Sequence, residues 1–149
     1  MTGTSIHLIV RRIINATPQR LFEAWTTAEQ LTKWWGPQGM SCPVAEVDLR
    51  VGGRYRIANV SASGDTTWIS GECESITPPK ELVYTWSVEP ATMPPERVTV
   101  RFEARDGKTE VIVIHERIVS DAARDQHNRG WQGCLAGLAR LCDVSSESS

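Results

Sequence analysis

The amino-acid sequence predicts an α+β domain of two layers, a curved antiparallel sheet covered by one long C-terminal helix. Three features predict it. Period-two alternation fills the chain after Pro43 in several runs cut by turn signals, a helical stripe occupies its last third, and no repeat, linker or composition shift divides it. At 149 residues the chain has the length of one domain, enough to bury roughly 68–70% of its unfolded surface.

Taken in order, Ser5 to Ile14 are mostly β-branched or apolar and read as a strand. Asn15-Ala16-Thr17-Pro18 then signals a helix start, with Thr17 as cap and Pro18 at the first helical position. Leu21, Phe22, Trp25 and Ala28, then Leu31, Trp34 and Trp35, keep helical spacing until Gly36-Pro37 stops it, giving one bent helix or two short ones. Six strands follow, separated by Gly52-Gly53, Gly64-Asp65, Pro78-Pro79, Pro94-Pro95 and Asp106-Gly107. The clearest hairpin joins Val98–Phe102 to Thr109–Arg117 through Asp106-Gly107, a pair suited to the positive φ angles of a type I′ turn.

From Ser120-Asp121 to Cys142, Trp131, Cys134, Leu135, Leu138, Leu141 and Cys142 fall on one stripe, which needs a sheet to cover it. The domain is expected over residues 1–143, with the polar residues 144–149 as a disordered tail.

Composition narrows the function. Sixteen Lys and Arg are scattered among eighteen Asp and Glu for a net charge of −2, so no nucleic-acid partner is expected. No apolar span approaches the roughly 20 residues of a membrane helix. The N-terminal apolar stretch precedes its arginines, the reverse of a signal peptide, so a cytoplasmic location is expected and no membrane partner. Cys42, Cys73, Cys134 and Cys142 form no CxxC pair and read as reduced, buried packing residues. Six tryptophans against two phenylalanines are the unusual feature.

Several segments carry a family resemblance: Arg12–Phe22 (RIINATPQRLF), Leu31–Pro37 (LTKWWGP), Asp48–Tyr55 (DLRVGGRY), Pro78–Trp86 (PPKELVYTW), Thr109–Glu116 (TEVIVIHE) and Gly130-Trp131. In this order and spacing the chain resembles the heat-shock-protein-90 ATPase activator-like branch of the START-like (SRPBCC) superfamily. The resemblance implies the helix-grip (START-like, Bet v-like) fold, in which the sheet curls round the C-terminal helix, two short helices follow the first strand, and a cavity opens between sheet and helix. The eukaryotic activator shares its chaperone contact with a separate N-terminal domain, which a chain of this length does not hold, so a chaperone contact is not expected here.

Alternation names the inward side chains, because residues two apart share a face. Thr109, Val111, Val113 and His115 point one way and Glu110 and Glu116 the other; Leu82, Tyr84 and Trp86, Val98, Val100 and Phe102, and Tyr55 with Ile57 form further inward sets. The expected ligand-binding set is Trp35, Tyr55, Tyr84, Trp86, Phe102, His115 and Trp131. An inward His115 is either a core histidine bonded to a neighbour or a group that holds a ligand or moves a proton. His127 shares the Trp131 face but, near the helix start, is expected to be exposed. Of Trp34 and Trp35, one is expected in the core and one at the rim. Trp68 is expected on the outer face, either partly covered or at a homodimer contact.

No GxSxG elbow, HExxH or P-loop occurs, and His115 and Glu116 point to opposite faces of a strand and cannot share a metal. No catalytic set, metal or cofactor is expected. The first expectation is a binding domain for a small, largely apolar or aromatic molecule; the others are a cyclase- or hydrolase-type enzyme using the same pocket, and, last, a chaperone co-regulator or other protein-interaction domain.

Overall fold

In the computed structural model, residues 6–36, 40–89 and 94–142 are described. The element order is β1 (Ile6–Ile14), α1 (Pro18–Thr26), α2 (Ala28–Trp34), β2 (Met40–Ser41), β3 (Ala45–Val47), β4 (Arg54–Ser61), β5 (Thr66–Thr77), β6 (Glu81–Val88), β7 (Glu96–Arg105), β8 (Lys108–Ile118) and α3 (Asp121–Cys142). The strands form one antiparallel sheet in the order β1-β8-β7-β6-β5-β4-β2, with β3 also paired to β4. Strand β1 crosses to the far edge to pair with β8, and α3 packs against β1, β8, α1 and α2 inside the curl.

Local chemistry sets the boundaries. Thr17 Oγ1 accepts from the Arg20 amide at 3.1 Å and caps α1, with Pro18 in its first turn. Two short helices form rather than one bent one, because Thr27 leaves helical geometry and ends α1 while opening α2. Ser120 Oγ accepts from the Ala123 amide at 3.1 Å at the start of α3. Asp106 and Gly107 carry φ of 51° and 83°, as a type I′ hairpin requires.

Seven strands rather than six follow the helices. The added piece is β2, two residues on the outer edge of β4 ahead of Pro43, while the first expected run holds the three-residue β3. The tail at 144–149 lies outside the described residues, as do residues 90–93.

The core is the inner face of the sheet against the α3 stripe. Val98, Val100, Val111, Val113, Leu135 and Leu138 are fully buried. Leu141, expected on the stripe, is half-buried at its edge. Tryptophans fill the space at the helix: Trp25 stacks on Trp131 with ring centroids 6.0 Å apart, and Trp35 and Trp86 meet Trp131 at 5.4 and 5.5 Å. Such pairs contribute about 0.5–1.5 kcal/mol each beyond the area they bury. All four cysteines are free and buried.

Trp34 and Trp35 are both buried, which corrects the expectation that one forms the rim. Close approach of α3 is the reason: a Cβ at Gly137 would sit 2.6 Å from the Trp34 carbonyl oxygen, so glycine lets the helix cover both rings. Trp68 lies on the outer face, half-buried, with the Arg56 guanidinium 3.8 Å above its ring.

Candidate functional site

The inner face changes character along the strands. At one end Tyr55, Cys73, Leu82 and Tyr84, with Trp25, Leu31 and Ile57, line a narrow apolar space of only about 30 Å³. That volume holds little more than one water molecule. At the other end a cleft of about 270 Å³ opens between the sheet and the first half of α3. Its lining includes Trp35, Asn59, Trp86, Gln126, His127 and Trp131.

The residues expected to line one pocket therefore divide. Trp35, Trp86 and Trp131 line the cleft, and Tyr55 and Tyr84 line the narrow space, whose wall Trp35 and Trp86 share. Phe102 borders neither of these two spaces and packs on Phe22 and Trp25 at 5.8 and 6.0 Å. The tyrosine hydroxyls are tied to protein groups: Tyr55 Oη donates to the Thr85 carbonyl at 2.5 Å, and Tyr84 Oη accepts from Trp25 Nε1 at 3.3 Å. Burial pushes both phenols above their ordinary pKa, so they stay neutral.

His115 is fully buried and lies under the cleft wall. Trp131 Nε1 donates to its Nδ1 at 3.0 Å, and its Nε2 lies 2.5 Å from Glu96 Oε1. An indole N–H can only donate, so Nδ1 is the acceptor and the imidazole proton sits on Nε2, facing Glu96. Burial is the main influence on His115 and lowers its pKa, while the Glu96 contact acts against it. The neutral ring with Nε2–H is thereby satisfied on both sides.

His127 Nε2 is 3.3 Å from the same Glu96 oxygen, and its ring stacks on His115 at 4.4 Å with planes 22° apart. This corrects the expectation of an exposed His127, whose side chain is only 20% accessible. The start of α3 lies over the sheet end, where Trp86 meets the ring edge-on at 6.3 Å. Burial is the largest single influence on Glu96 and opposes its ionisation. The hydrogen bonds and charge interactions from the two histidines together outweigh it and bring the pKa to about 2.

Glu96 and Asn59 are the groups that the sequence reading missed. Each continues an inward set by one step: Phe102, Val100 and Val98 lead to Glu96, and Tyr55 and Ile57 lead to Asn59. Parity alone finds them.

Glu96, His115 and His127 bring ligand-type atoms within 4.8 Å of one another, the span of a metal-binding set. A metal-bound histidine gives its second N–H to an acceptor. Here the second nitrogen of His115 meets a donor instead, so metal on Nε2 would displace a proton with no nitrogen left to take it. The arrangement suits proton handling better than metal binding.

Sheet, grip helix and mouth cleft together define a helix-grip domain of the START-like superfamily. The sequence profile described as "Activator of Hsp90 ATPase homolog 1-like protein" matches residues 15–143. The chain belongs to this family.

Among solved structures it is similar to protein CV1439 from Chromobacterium violaceum, at 27% identity and TM-score 0.84, covering 92% of this chain and 96% of that one. The AHSA1 protein from Silicibacter pomeroyi shares the fold at 24% identity and TM-score 0.83, covering 95% and 99%. No curated protein matches the chain. No helix among the described residues is long and apolar enough to cross a membrane.

Proposed function

We propose that this chain is a small-molecule-binding domain whose ligand sits in the cleft at the mouth of the grip, not in the apolar interior. One observation carries the reading. Among the described residues the buried side-chain polar atoms without a hydrogen-bond partner are Trp35 Nε1, Asn59 Oδ1 and Trp86 Nε1, and all three residues line the cleft. Buried polar groups are paired in the great majority of cases, so three orphans in the lining of one cleft favour a ligand that supplies the partners.

The chemistry of the lining describes that ligand. Three indoles with Ile69 and Val88 suit a flat aromatic or conjugated body. Two N–H donors ask for an acceptor oxygen, and the Asn59 carbonyl asks for an O–H or N–H. The four reduced cysteines are compatible with a cytoplasmic site of action.

Calorimetric titration with small hydroxylated aromatic carbonyl compounds tests the reading. Saturable binding is expected, weakened roughly two- to tenfold in Trp86→Phe, the loss of one hydrogen bond. Equal affinity of wild type, Trp86→Phe and Asn59→Ala for every compound that binds would move the site elsewhere.

A further inference from the structure

Four side chains at the cleft form a line: the Trp131 indole, the His115 imidazole, the Glu96 carboxylate and the His127 imidazole. Their order assigns roles. Trp131 fixes the His115 proton on Nε2, which faces Glu96. A second proton on His115 would set its Nδ1–H against the indole N–H, so His115 stays neutral. Two imidazolium rings stacked at 4.4 Å would also repel each other. Of the two rings, His127 is the one that lines the cleft. The titratable groups in contact with His127 among the described residues are Glu96 from β7 and His115 from β8.

We propose that His127 is a general base toward the molecule held in the cleft, with Glu96, fixed by His115 and Trp131, as the positioning residue that stabilises the resulting imidazolium. This rests on the binding reading above. With Nε2–H turned to Glu96, the lone pair of neutral His127 is on Nδ1. That nitrogen takes a proton from a weakly acidic C–H or O–H of the bound molecule. The bonding electron pair moves through the conjugated system to an oxygen, for which the Trp35 and Trp86 N–H groups are the unpaired donors. The proton then returns from His127 to product or to solvent, so no electrons are gained or lost. The substrate class is a small aromatic or enolisable carbonyl compound whose conjugate base is an oxyanion.

A nitro-substituted benzisoxazole probes this step directly. A base removes the ring proton on the carbon beside nitrogen, that electron pair completes a nitrile as the N–O bond breaks, and a coloured nitrophenolate forms. Binding is followed separately by quenching of tryptophan fluorescence. Wild type is expected to bind the probe saturably and convert it. His127→Ala is expected to bind it and lose at least about a hundredfold in kcat. His127→Gln, which keeps a polar contact for Glu96, repeats that loss if the alanine variant folds poorly.

Glu96→Gln is expected to lower kcat with KM held, because the carboxylate 3.3 Å from His127 stabilises the imidazolium formed in the step. A purely structural Glu96 would leave kcat unchanged in the folded variant. Saturable binding with equal conversion by wild type and His127→Ala overturns the base and leaves the binding site standing. Absence of binding up to the solubility of the probe overturns both for aromatic acceptors of this size.

Discussion

The two ends of the grip share the same sheet, the same helix and the same strand parity, yet one end is apolar and nearly filled and the other is polar and holds a wider cleft. On β4 the inward set runs Tyr55, Ile57, Asn59; on β7 it runs Phe102, Val100, Val98, Glu96; on β8 it runs Thr109, Val111, Val113, His115. Aromatic and branched side chains at the filled end meet each other and leave about 30 Å³. At the other end each set finishes in a polar residue, and Trp35 and Trp86, whose buried N–H groups have no partner, are among the lining. The fold thus separates stability from function along the strand direction. A one-residue step in register would exchange every inward side chain for its outward neighbour.

Substitutions at the two ends should therefore separate stability from ligand affinity. The largest loss of stability is expected at the filled end. Phe102→Ala removes a ring buried against Phe22 and Trp25 and should cost about 3–5 kcal/mol in chemical denaturation. Ligand affinity of the remaining folded protein should not change. A variant with intact stability and weakened binding would place Phe102 at the site after all.

Glu96→Ala tests the cleft end and should cost less. It strands the buried His115 Nε2–H, a loss of about 1–3 kcal/mol. The pH dependence identifies the carboxylate. Its folded pKa lies near 2 against an ordinary 4.5, so the unfolded chain binds the proton first. The stabilisation is complete above about pH 4.5 and is lost as pH falls toward 2. Glu96→Gln keeps an acceptor for His115 and should flatten that acid limb. Denaturation curves with the same slope in this window for wild type and Glu96→Gln would show that the limb belongs to other groups.

Much of the fold is legible in the sequence, because its signals are local and repeated. Thr17-Pro18 caps a helix, Asp106-Gly107 turns a hairpin, and the Trp131 stripe demands a sheet. Strand β2 is not legible, since two residues show no alternation and are held only by the edge of β4. At the site, parity makes Trp86 and His115 legible as inward residues, and the helical stripe does the same for Trp131.

Glu96 follows Pro94-Pro95 and reads as loop; the strand pairing Glu96 with Trp86 extends one inward step past Val98. His127 reads as exposed because helix starts usually are. Here the sheet end reaches far enough to cover it. The second miss arises where two elements meet, which no pattern within one element records.

The smallest diagnostic effect, a change in pH dependence, is expected from Trp131→Phe, and it tests the role assigned to the Trp131–His115 hydrogen bond. The substitution keeps an aromatic ring against Trp25, Trp35 and Trp86 but removes the N–H that His115 accepts. The buried His115 Nδ1 is left without a partner, which costs about 1–3 kcal/mol at neutral pH. In the wild type, the folded His115 pKa lies below the ordinary 6.5. The unfolded chain therefore gains a proton that the folded protein refuses, and stability declines as pH drops from 6.5 through the folded value. Once Nδ1 is free of the indole it can carry a proton beside ionised Glu96, the refusal weakens, and this limb shrinks. The deficit of Trp131→Phe relative to wild type should be smaller at about pH 5 than at pH 7. An equal deficit at both values would mean that the indole packs against His115 without setting its tautomer, and the roles assigned along the line from Trp131 to His127 would have to be redrawn.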